Sequence, residues 1–166
     1  MEEDNVMIEE AAPETGQTRA SAARTLAVEQ IRAAQNFTLA IPAGLVAALL
    51  GAGVWAAFTV VTEMQLGLIA IAIGYVVGQA IQRVGKGIDT KFGVLGALCA
   101  LFGCVLGNCL SALAFVAQAK HISMLGLLSP ALMIRATTTF AQPMDLLFYG
   151  IAVYEGYRFS FKYRLK

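Results

Sequence analysis

The run FTLAIPAGLVAALLGAGVWAAFTVV, residues 37–61, decides the fold. Its 25 residues carry no charge. At 1.5 Å per residue a helix of that length extends about 37 Å, beyond the ~30 Å hydrocarbon core of a bilayer. No water is present in that core to satisfy peptide groups, so the stretch crosses as a helix. Glu63 ends the run, and residues 64–82 supply 19 further uncharged positions before Arg83, which predicts a second crossing after a tight turn. The stretch RVGKGIDTK, residues 83–91, reads as a short polar connection, and 92–119 is a 28-residue uncharged run, the third crossing. Between Ala33 and Ala119 only five charged side chains occur: Glu63, Arg83, Lys86, Asp89 and Lys91.

The whole chain agrees with that beginning. Its 166 residues are 58% hydrophobic and 14% charged with a formal net charge of +1, and the mean hydropathy is +0.68. Such a composition excludes an ordinary soluble enzyme, and the near-neutral balance excludes a nucleic-acid partner. Residues 1–16 carry Glu2, Glu3, Asp4, Glu9, Glu10 and Glu14 and show no cleavable signal; they read as an acidic disordered tail. Residues 17–36 read as a short cytoplasmic helix with a narrow stripe of Leu26, Val28 and Ile31 beside Arg19, Arg24 and Arg32. That helix is either a lead-in to the first span or a docking helix for a partner or the membrane surface.

The fourth crossing is decided by charge. Residues 122–134 are too short to span and contain Pro130, so 120–143 is expected outside, with 122–134 interfacial or re-entrant. Residues 144–163 have the right length but hold Asp145, Glu155, Arg158 and Lys162. With four spans and a cytoplasmic N-terminus, ten Lys and Arg lie inside and only Lys120 and Arg135 outside, whereas three spans give six against six. Basic residues favour the cytoplasmic side. The expected fold is therefore all-α and polytopic, a bundle with spans near 37–61, 64–82, 92–119 and 144–163 in a membrane domain 37–166. Both termini are expected in the cytoplasm. The aromatics Tyr154, Tyr157, Phe159, Phe161 and Tyr163 suit an interfacial belt.

Helices in lipid associate where small residues let backbones approach. Gly74 and Gly78 in the second span, and Gly96, Gly103 and Gly107 in the third, supply such stripes. They serve either packing within the chain or a surface for a second copy or partner. Asn108 wants a hydrogen-bond partner inside the third span. Nine residues separate Asp145 from Glu155, far less than a ~30 Å core, so one carboxylate lies near membrane depth. An acid there is a candidate ion or proton site, with Tyr149 one turn from Asp145. The alternative reading has Asp145 in the first turn of the helix after Pro143, satisfying free N–H groups, and Glu155 paired with Arg158.

No catalytic residue set is visible. Cys99, Cys104 and Cys109 recur every five residues, a rotation of about 140° each, and form neither a metal cluster nor a C-x-x-C pair. His121 is the single His, too few for zinc. The G-K-G of 85–87 lacks Walker A spacing and reads as a turn. No cofactor and no metal are expected.

The runs IGYVVGQAI (73–81), GKGIDTKFGVLGA (85–97) and MDLLFYGIAVYEGYRF (144–159) resemble a family of small bacterial four-helix integral membrane proteins without an assigned activity. The resemblance covers about half of the chain and implies a bacterial inner membrane and a four-helix layout. Some relatives carry a zinc-binding Cys module before the helices, but residues 1–36 contain no Cys. The expected function is that of a non-enzymatic membrane component, acting in the lipid bilayer by helix packing as a homo-oligomer or within a larger membrane complex. The alternative is a small oligomeric ion- or proton-coupled channel or transporter built on Asp145 or Glu155.

Overall fold

The structure, a computed structural model, describes residues 12–62, 67–121, 129, 131 and 143–161. Residues 1–11, 63–66, most of the segment 120–143 and of its expected interfacial or re-entrant stretch 122–134, and 162–166 lie outside the described residues. What is described is helical, with no strand. Helix α1, Ala12–Ala33, starts earlier than the expected 17. Pro13 falls in its first turn, where a missing N–H costs nothing. Within this unit Ser21 and Thr25 hydroxyls bond back to the carbonyls of Thr18 and Ser21 at 2.8 and 3.0 Å.

The second unit, Asn36–Lys166, contains α2 (Phe37–Thr62), α3 (Leu68–Gly85), α4 (Thr90–Lys120) and α5 (Pro143–Phe159). Helices α2, α3 and α4 are long and apolar enough to cross a membrane, which marks this as a membrane protein. Helix α5 has 17 residues, about 25 Å, and ends short of the expected 163. At its end the Ser160 hydroxyl donates to the Gly156 carbonyl at 2.6 Å, and Gln82 Nε2 of α3 donates to the Phe161 carbonyl at 2.6 Å.

Helix α3 runs to Gly85, beyond the expected 82, because Arg83 in the last turn complements the C-terminal end of the helix dipole. The chain then turns through Lys86 in the left-handed region, φ 49° and ψ 33°, whose N–H returns to the Gln82 carbonyl at 3.1 Å. A side chain is strained there, so Lys86→Gly should stabilise the protein by about 1 kcal/mol, read as a higher Tm in detergent. An unchanged or lower Tm would refute this account of the cap. Helix α4 ends likewise on left-handed His121, φ 51°.

Asn36, which the sequence reading placed in the cytoplasmic helix, is the N-cap of α2. Its Oδ1 accepts from the Leu39 N–H at 3.2 Å, and its own N–H donates to the Gly85 carbonyl at 2.9 Å. The start of α2 is thereby tied to the end of α3. Phe92, fully buried, fills the same corner, edge-on to Phe37 with ring centroids 5.3 Å apart. A Cβ on Gly87 would stand inside the Phe92 ring, so this turn requires glycine. Lys91 Nζ lies 5.5 and 5.7 Å from the two ring centroids and 3.5 Å from Asp89, a cation–π arrangement suited to a membrane interface.

The close helix pairings all involve α3 or α4: α2 packs on both, and so does α5. Phe148 lies at Gly67, Ala152 at Gly74 and Phe159 at Gly78, so α5 runs in the same direction as α3. Tyr157 lies at Gly93, Gly156 at Gly96 and Tyr149 at Asn108, so it runs against α4. Much of the interior is built from small side chains, Ala40, Ala48, Ala52, Ala70, Ala100 and Ala152, around a few large ones such as Trp55, Ile81 and Phe92, while Leu50, Val54, Leu68, Leu98, Leu146 and Leu147 face outward. A soluble core has the opposite order. In lipid, leucine gains nothing by leaving the hydrocarbon, and close backbone approach holds the bundle instead.

Candidate functional site: a buried polar cluster and an open groove

Asn108 sits past the middle of α4 and is 5% exposed. Its Nδ2 donates to the Tyr149 hydroxyl at 2.9 Å and to Asp145 Oδ2 at 3.4 Å. Asp145 lies in the first turn of α5 and Tyr149 one turn on, so both reach the same patch of α4. What presents them is the docking of α5 into the glycine-lined faces of α3 and α4. Asp145 thus occupies the first turn of α5 and, half-buried, lies against Asn108 of α4. Asn108, Asp145 and Tyr149 come together, and Glu155 stands apart, near the other end of α5.

The expected Glu155–Arg158 pair is not formed among the described residues. The Arg158 guanidinium instead lies over the Phe159 ring at 5.6 Å, and that ring is held edge-on to Tyr75 at 5.0 Å. An adjacent fixed aromatic face offers the cation a partner in apolar surroundings. One further polar group has no partner among the described residues, the fully buried Thr59 hydroxyl. Trp55, one turn earlier on α2, packs against Gly107, which puts Thr59 near the level of Asn108 and Ser111. The sequence reading passed over Thr59, because a single Thr in an apolar run carries no periodic signal.

The glycines Gly74, Gly78, Gly96, Gly103 and Gly107 all face helices of the same chain. Ala152 and Gly156 of α5, which the sequence reading did not single out, lie against Gly74, Gly78 and Gly96, while Gly103 and Gly107 face Ala48 and Trp55 of α2. The spacing of four in A-V-Y-E-G was the available signal. Gly53 is different: nothing lies within 4 Å of its Cβ position. It lines an open groove of about 570 Å³ between α2 and α4, with Ala56, Ala57, Ala114 and Ala117, and with Gln118 and His121 at one end.

Cys99, Cys104 and Cys109 are buried and not disulfide-bonded. Cys104 Sγ approaches the Ala70 carbonyl at 3.8 Å. Among the described residues no three His, Cys, Asp or Glu side chains converge on a metal-binding point. Comparison with protein-family models, with curated proteins and with solved structures gives no match.

Proposed function

We propose that the protein is a four-span component of a bacterial inner membrane, with both termini in the cytoplasm, that acts as a homo-oligomer by packing its α2–α4 groove against a second copy. The observation that carries this reading is Gly53. The other glycines of α2, Gly44 and Gly51, pack on Ile81 and Ile73, whereas Gly53, with Ala57 four residues on, is left open to the surroundings. A small-xxx-small stripe on an outward helix face admits a like stripe, and a two-fold axis makes the contact self-complementary. The ten-to-two distribution of basic residues gives every copy one orientation, so the pairing is parallel. The fourth crossing is supported by the course of α5, which follows α3 in the same direction despite its charges. No reaction is assigned, since no acid, base and nucleophile meet among the described residues.

Ala57→Cys on a Cys-free background should cross-link between copies in liposomes, and Gly53→Ile should lower the cross-linked fraction at least about tenfold. Photobleaching in single steps at all lipid-to-protein ratios would overturn the reading. A second reading, an ion- or proton-coupled channel or transporter, is favoured at Asp145 by its contact with Asn108; Glu155 has no such contact.

A further inference from the structure

We infer that His121 makes the pairing across the α2–α4 groove sensitive to pH on the outer side of the membrane: copies hold together near neutrality and separate in acid. This rests on the homo-oligomer reading and its topology, and adds how that same contact is regulated. The groove wall is built from groups that carry no charge. Helix α2 contributes Gly53, Ala57 and Val60 and α4 contributes Leu110 and Ala114, and among the described residues lining the groove only His121 ionises. It closes one end, with Gln118 one turn before it. Its backbone is pinned there as the left-handed cap of α4, the N–H donating to the Gln118 carbonyl at 3.2 Å. Because α4 starts at the corner of Phe37 and Phe92, on the cytoplasmic side in the proposed topology, its last residue emerges on the outer side.

In the single copy His121 is exposed. A second copy seated on Gly53 and Ala57 covers the mouth of the groove. A neutral imidazole is covered at small cost, whereas an imidazolium gives up its hydration to an apolar wall. Parallel two-fold pairing adds repulsion, since both copies bring the same end together and each carries an exposed Lys120 beside its His121. The paired state therefore binds fewer protons than separate copies. By linkage, pairing is strong above the range in which imidazole titrates and is lost as pH falls through it, between about pH 8 and 5. The remaining charges at this end are few. Glu63 follows α2 and lies outside the described residues, and between His121 and Pro143 the sequence holds one ionisable side chain, Arg135. Asp145 lies against Asn108, well back along α4. A carboxylate such as Glu63 titrates about two units lower than imidazole, so the midpoint tells the two apart.

The experiment uses the full chain, labelled once at its N-terminus and reconstituted in liposomes with the same buffer on both sides. Photobleaching steps give the ratio of paired to separate copies at about pH 7.5 and about pH 5.5. For wild type the ratio should fall at least about tenfold in acid. His121→Asn, a residue that tolerates the left-handed cap, should pair alike at both pH values, and His121→Arg, charged throughout, should pair poorly at both. Glu63→Gln should leave the response intact. Wild-type pairing that is equal at the two pH values overturns the inference, and so does an undiminished acid loss in His121→Asn. Should the arginine variant fail to fold, the asparagine variant decides alone. Copies that pair at neither pH refute the homo-oligomer reading itself, whereas copies that pair and stay paired in acid refute only the role of His121.

Discussion

Gly156→Leu is expected to release α5 from the bundle. A Cβ at this position would meet the Gly96 carbonyl oxygen at 2.6 Å and Ala100 Cβ at 2.8 Å, and backbone on one side with a helix-fixed methyl on the other cannot move aside. Nor can the neighbouring contacts yield, because Gly74 lies against the backbone of Ala152 one turn earlier. The cost is on the order of 4 kcal/mol or more, from overpacking plus the loss of every α5 contact. Gly150→Leu on the same helix is the matched control, since nothing lies within 4 Å of that Cβ position. It should change stability by less than about 0.5 kcal/mol. Unfolding of both variants by graded denaturing detergent gives the comparison, and equal midpoints would disprove the docking geometry.

Phe92→Ala is the second large effect, at about 3–5 kcal/mol. The ring is fully buried where the start of α2, the end of α3 and the start of α4 meet, against Phe37 and the Gly85–Gly87 turn. Its removal leaves a void bordered by glycine backbone that has no side chain to fill it. Phe92→Leu retains most of the volume and should cost less than about 1.5 kcal/mol. If the alanine variant melts with the leucine variant, the corner is not holding the three helices together.

The three long spans were legible because an uncharged run of that length has one outcome in lipid. Their ends were not: α3 continues through Arg83 since a cation is favourable in a last turn, and charge alone had been read as a stop. Helix α5 came from counting Lys and Arg, and at 17 residues it is shorter than the three helices long and apolar enough to cross a membrane. Asn108 and Asp145 were each visible as polar groups in apolar runs, and Tyr149 was seen one turn from Asp145. Their meeting depends on the register of α4 against α5, which is set by Gly96 and Gly156. No periodicity within one helix encodes that register. Asn36 was placed in the preceding helix and Thr59 was passed over for a simpler reason: a cap and an orphan hydroxyl are defined by what surrounds them.

The seating of α5 between two pre-existing faces bears on how the protein is made. A segment holding Asp145, Glu155 and Arg158 partitions poorly from the translocon into bare lipid. The glycines on α3 and α4 that receive it are synthesised earlier. The faces that receive α5 are therefore complete before α5 is made, and a ribosome halted before residue 143 leaves the glycines of α3 and α4 uncovered. An uncovered small-residue slot of that kind distinguishes the unfinished chain from the finished one.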